Sequence, residues 1–104
     1  MPDSSNFSQT QSINDLDTEL KEPGMYQVVL HNDDYTTMEF VVYILERVFH
    51  KTEADANRIM MDVHRYERGI CGVYHFEVAE TKVVQVEKMA AKEGFPLKCT
   101  MELV

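Results

Sequence analysis

Positive charge is scarce in this chain. Ten Lys and Arg residues stand against eighteen Asp and Glu among 104 residues, a formal charge of −8. That balance argues against a nucleic-acid backbone or an anionic membrane as the main partner. It suits cationic or polar partners, including the positively charged end of a peptide. Cysteine is nearly absent: Cys71 and Cys99 lie far apart and form no CxxC pair. A secreted disulfide scaffold would carry more, so buried free thiols in a reducing, cytoplasmic setting are expected. Glycine is sparse at four residues. There is no phosphate-binding glycine loop, no GxSxG elbow and no HExxH pair. No apolar run approaches the roughly 20 residues of a membrane span. The N-terminal stretch lacks the basic-then-apolar pattern of a signal peptide, and its acids are unlike an Arg-rich transit peptide.

What is present fits one small domain behind a tail. Residues 1–24 are rich in Ser, Asn, Gln, Thr and Asp and read as a flexible N-terminal tail. Ile13, Leu16 and Leu20 leave room there for a transient helix. Pro23-Gly24 marks the boundary to a core over residues 25–104. The pattern then predicts a strand over 25–31 and a helix over 37–49, where Phe40, Val41, Ile44, Leu45 and Val48 recur at helical spacing. Thr36 and Glu39 have capping-box spacing for its start. Thr52 caps a second predicted helix over 53–66, and Gly69 suits the turn after it. A strand over 70–76 follows, with Gly72 at a bulge or a close backbone approach. A third helix over 79–93, stopped by Gly94 and Pro96, and a strand over 98–103 complete the order. The fold class expected is α+β: a small βααβαβ sandwich with a three-stranded antiparallel sheet packed against three helices.

The polar corner Asn32-Asp33-Asp34 lies between the first strand and the first helix. One capping group suffices at a helix start, so the corner holds surplus acceptors. A solvated turn with an Asx cap is the plain explanation. The other is a site. Met38 and Val41 share one helix face, and Met60, Val63 and His64 share another. Two helices joined by a short linker pack side by side, so these faces form either core or a small apolar pocket. His31, Asp33, Asp34 and His64 also make a possible His/carboxylate metal set, without diagnostic spacing. Cys71 in Ile-Cys-Gly-Val reads as core rather than as a nucleophile.

These residues also resemble a known family. Tyr26-Gln27-Val28-Val29-Leu30-His31-Asn32-Asp33-Asp34-Tyr35-Thr36-Thr37-Met38-Glu39-Phe40-Val41 is similar to the signature of ClpS adaptor proteins. Met60-Met61-Asp62-Val63-His64, Gly69-Ile70-Cys71-Gly72-Val73, Glu77-Val78-Ala79-Glu80-Thr81-Lys82 and Pro96-Leu97-Lys98-Cys99-Thr100 extend the match over roughly residues 25–103. The resemblance implies a bacterial N-degron adaptor without enzymatic activity or cofactor. Such an adaptor binds substrates that begin with Leu, Phe, Tyr or Trp and delivers them to the ClpA unfoldase of ClpAP. It implies that Asn32, Asp34 and His64 hold the free α-amino group, and that Asp33 and Thr36 position the adjoining substrate backbone. Met38, Val41, Met60, Val63 and Leu97 would line the side-chain pocket. Glu77 and Lys82 would dock on the N-terminal domain of ClpA, and the tail would assist delivery. One departure is visible: Thr37 stands where family members often have Pro, the favoured first residue of a helix.

Two alternatives remain at this point. One is an α+β interaction module that binds a protein through its helix faces, as ribosomal stalk C-terminal domains do. The other is a metal-binding protein or small enzyme using the His/carboxylate set. Metal analysis of the purified chain separates the last from the adaptor. The expected result is no stoichiometric zinc, and one zinc per chain would favour the metal reading.

Overall fold

Tyr26, Val28 and Leu30 alternate with Gln27, Val29 and His31, and the strand they form is the middle of the sheet. The computed structural model describes residues 24–104. The predicted tail and its transient helix therefore lie outside the described residues, Gly24 apart. Among the described residues the order is β1 (Met25–His31), α1 (Met38–Arg47), α2 (Glu53–Tyr66), β2 (Arg68–His75), α3 (Phe76–Glu93) and β3 (Lys98–Leu103). The sheet runs β2-β1-β3, with both pairings antiparallel. This is the predicted α+β architecture. None of the described helices is long and apolar enough to cross a membrane.

Strand alternation assigns the two faces of the sheet. Val28 and Leu30 point into the core with Ile44, Leu45, Ile59 and Val86, all nearly or wholly buried. Burying one such side chain contributes about 1.5–3 kcal/mol. Val29 and His31 point to the other side, where Val29 is covered although it is not part of that core. On this outer face Glu102 accepts from Gln27 and from Arg68, and His31 Nε2 lies 2.8 Å from Thr100 Oγ1. Both cysteines are free and buried, as expected. Burial pushes the Cys99 thiol up to about 12 and the Cys71 thiol up further.

Several boundaries differ from the predicted ones, each for a local reason. Helix α1 begins at Met38 and is capped by Thr37, whose hydroxyl accepts from the Phe40 N–H at 3.1 Å. Thr36 is not the cap, because its hydroxyl donates to Asp33 Oδ2 at 2.7 Å. Thr37 thus supplies a capping bond that proline has no side-chain oxygen to make. Helix α1 also stops short of Phe49: His50 is left-handed at φ 55° and the Lys51 N–H turns back to the Leu45 carbonyl at 3.1 Å. Thr52 does cap α2, accepting from Asp55. Helix α3 starts three residues early, at Phe76, which leaves the sheet and meets Tyr26 edge-on with ring centroids 5.5 Å apart. Gly94 ends it at φ 79°, as predicted.

The two glycines of β2 have separate roles. The register between β1 and β2 shifts between Val28 and Val29, pairing them with Gly72 and Ile70 and leaving Cys71 as the extra residue of a bulge. Gly72 flanks that bulge, and the Tyr74 ring lies over it. Gly69 is not in a turn. It is buried within the strand, paired with Leu30, and a Cβ there would lie 2.7 Å from Val63 Cγ2 and 3.0 Å from the Ile59 carbonyl oxygen. The backbone of β2 therefore lies directly against α2. Gly69→Ala should destabilise the fold by about 1–3 kcal/mol, because neither a backbone carbonyl nor a packed β-branched residue yields easily. Urea denaturation checks this, and an unchanged midpoint would mean that α2 retreats without strain.

Candidate binding site

The corner after β1 and the last turn of α2 face each other across a cavity of about 310 Å³. Its polar side is formed by Asn32, Asp33, Asp34, Thr36 and His64. Its apolar side is formed by Met38 and Val41 of α1 and Met60 and Val63 of α2. Val41, Met60 and Val63 are almost fully buried, whereas Met38 is 41 % exposed and forms the lip. The helix faces that were either core or pocket are therefore both: their buried sides pack on the sheet and their ends wall the cavity.

The polar side is built by backbone geometry. His31 pairs with Arg68 and turns outward, so the next residue, Asn32, turns inward. The Asn32 N–H donates to the Glu67 carbonyl at 2.9 Å, which fixes the corner to the end of α2. His64 stands in the last turn of that helix. The corner itself is tied by Asp33. Its Oδ1 accepts from the N–H groups of Tyr35 and Thr36 at 2.8 and 2.7 Å, and its Oδ2 accepts from the Thr36 hydroxyl. Partial burial pushes the Asp33 carboxyl up, but the bonds from Thr36 and Tyr35 outweigh it and hold the group below its ordinary value. Among the described residues no hydrogen bond or ion pair engages the side chains of Asn32, Asp34 or His64. The two aspartates thus differ: Asp33 is committed to the loop, and Asp34 is free toward the cavity.

Not every predicted site residue is here. Leu97 is 5 % exposed and lies in the same buried core as Val41, Met60 and Val63, but unlike them it is not among the residues that face the cavity. His31 is on the outer sheet face with Thr100, which separates it from Asp33, Asp34 and His64. Among the described residues no three His, Cys, Asp or Glu side chains cluster as metal ligands. Glu77 and Lys82 line a separate shallow cleft on α3. Lys82 is not an open charge there. Its ammonium donates to the Val48 carbonyl at 2.7 Å and lies 5.8 and 5.5 Å from the ring centroids of Phe49 and Tyr74.

Residues 21–100 match the family described as ATP-dependent Clp protease adaptor protein ClpS. The chain belongs to the ClpS family. It is 52 % identical over 99 residues to a ClpS of Syntrophus aciditrophicus, covering 95 % of this chain and 92 % of that one. It is 57 % identical over 88 residues to a ClpS of Acetivibrio thermocellus, covering 85 % and 89 %. Among solved structures it resembles Agrobacterium tumefaciens ClpS2 bound to L-phenylalaninamide, with a TM-score of 0.77 and 38 % identity over 80 % of this chain and all of that one. Membership in ClpS makes the chain an adaptor of an ATP-dependent Clp protease.

Sequence reasoning named every residue that lines the cavity, but residue types alone did not separate Asp33 from Asp34; only the family resemblance gave them different roles. The signal was present in the Asp-x-x-Thr spacing, which suits a side chain that accepts from N–H groups two and three residues on. A carboxyl held below its ordinary value stabilises the fold above the normal carboxylate range and stops doing so as the pH falls through its folded-state value. Asp33→Asn keeps an acceptor but removes the charge that strengthens these bonds, so it should cost about 0.5–1.5 kcal/mol at neutral pH. The gap from the parent chain should close as the pH falls below about 4. Urea titrations of both chains across that range check it, and a gap that persists in acid would show that the charge is not the cause.

Proposed function

We propose that this chain reads the beginnings of other proteins. It binds the free α-amino group and the first side chain of polypeptides starting with Leu, Phe, Tyr or Trp, and delivers them to the ClpA unfoldase of ClpAP through that unfoldase's N-terminal domain. The observation that carries the reading is the division of one small cavity into an uncommitted acceptor side and an apolar side. Its volume is at the low end of the 300–1,000 Å³ common for ligand sites, in keeping with one residue rather than a peptide. The ligand held by the related ClpS2, L-phenylalaninamide, has a free α-amino group, an aromatic side chain and an amide in place of the next peptide bond.

The chemistry fits each part. An α-amino group has a pKa near 8, so it is mostly an ammonium at neutral pH, with three donors to place. The Asp34 carboxylate, the Asn32 amide oxygen and a ring nitrogen of His64 offer acceptors from three directions. A charged hydrogen bond contributes about 1.5–3 kcal/mol net, and burial of a Leu or Phe side chain about as much again. After the cost of association, roughly micromolar affinity follows. Neither half suffices alone, so an internal Leu or a blocked terminus is rejected. Asp33 and Thr36 keep the loop in the shape that presents these acceptors, and Thr36 can still accept from the adjoining substrate backbone. No bond is made or broken, so the work is recognition.

Docking is assigned to the α3 surface around Glu77. Lys82 supports that surface from inside, joining α3 to the end of α1.

A peptide beginning with free Leu should bind, and its acetylated twin should bind at least about tenfold more weakly. Equal affinity, measured by fluorescence anisotropy, sinks the reading. Asp34→Ala should weaken the free peptide by about 10–100-fold while leaving the melting temperature nearly unchanged. The delivery half rests on a separate assay: a Leu-first reporter degraded by ClpAP no faster with this chain than without it would remove that half alone.

A further inference from the structure

We infer that Glu67 is a positioning residue for the amine-binding side of the cavity, acting through its left-handed backbone and its carbonyl rather than through its carboxylate. This rests on the proposed reading of the cavity and concerns a residue that does not line it.

Helix α2 ends at Tyr66 and β2 begins at Arg68, so one residue reverses the chain. That residue, Glu67, has φ 73° and ψ −11°. The left-handed region is unfavourable for a residue with a Cβ, and helices stopped in this way usually use Gly or Asn. The Glu67 side chain is exposed, and among the described residues it makes no hydrogen bond or ion pair. Nothing its carboxylate touches accounts for the conformation.

The Glu67 carbonyl, by contrast, is engaged. It accepts the Asn32 N–H at 2.9 Å, one step beyond the pairing of His31 with Arg68. The β1–β2 ladder is thereby extended into the corner. Asn32 is held across from α2, and Asp34 follows two residues later. His64 is three residues upstream on the same helix end. A single joint therefore sets the distance between the corner acceptors and His64. If residue 67 relaxes to an ordinary conformation, the helix runs on or the strand leaves at another angle, and Asn32 loses its anchor while the methionine and valine walls stay in place.

The full chain and its Glu67→Val, Glu67→Gly, Glu67→Asn and Glu67→Gln variants test this. Two readings are taken: hydrogen exchange at the Asn32 amide by NMR, and affinity for free-amine peptides beginning with Leu or with Ala. The β-branched valine resists the left-handed region. Glu67→Val should speed Asn32 exchange and weaken the Leu peptide by about tenfold each, with the preference for Leu over Ala unchanged. Glu67→Gly and Glu67→Asn should restore both readings, and Glu67→Gln should match the parent. The inference is overturned if folded Glu67→Val keeps the parent's exchange and affinity. It is equally overturned if Glu67→Gly or Glu67→Gln loses as much as Glu67→Val, since the carboxylate would then be responsible. Should Glu67→Val fail to fold, Glu67→Ala is read in its place on the same two scales. A parent chain that does not prefer free over acetylated termini removes the functional reading instead, and Asn32 exchange still decides whether Glu67 holds the corner.

Discussion

Strand β1 is hydrogen-bonded along both edges, and the site depends on that constraint. A strand paired on both sides cannot slip by one residue without turning every side chain to the opposite face. Here a slip would send Val28 and Leu30 out and His31 in. With the register fixed, Val28 and Leu30 seat the helices, His31 goes to the outer face and Asn32 arrives on the cavity side. The bulge at Cys71 belongs to β2 and leaves β1 itself regular. The polar corner therefore begins from the central strand, which is paired on both edges, although it is itself a loop. On the proposed reading the site distinguishes an ammonium from a neutral amide, and a fixed corner serves that task because hydrogen bonds weaken steeply when their geometry loosens.

Two adjacent carboxylates are an awkward thing to keep in a chain that is already acidic. The structure resolves the awkwardness by giving them different work. Asp33 accepts three donors within its own loop, which disperses its charge into local dipoles. Asp34 keeps its acceptors open toward the cavity. Two helix ends meet there as well: the start of α1, whose partial positive charge is countered by Glu39 and the corner carboxylates, and the end of α2, whose partial negative charge favours a cation.

Much of this was legible in the sequence because periodicity survives folding. Phe40, Val41, Ile44 and Leu45 name a helix face wherever they stand, and Thr52 and Gly94 carry end signals that nothing nearby competes for. The misreadings come from competition and from contacts at a distance. Thr36 and Thr37 are equally good caps by residue type, and Asp33 decides between them by taking the first. Gly69 reads as a turn residue after a helix, yet its need is steric and lies across the fold at Val63 and Ile59. Glu67 was invisible, since a charged residue gives no hint of left-handed backbone.

The modest volume of the cavity has a consequence for how much of a client protein must be read. A pocket for one residue conveys little sequence information, and an internal Leu or Phe occurs many times in any chain. A free α-amino group occurs once. On the proposed reading, pairing the rare feature with the common one lets so small a surface pick a unique address on a polymer of any length. All residues after the first are then left to the unfoldase, whatever their order.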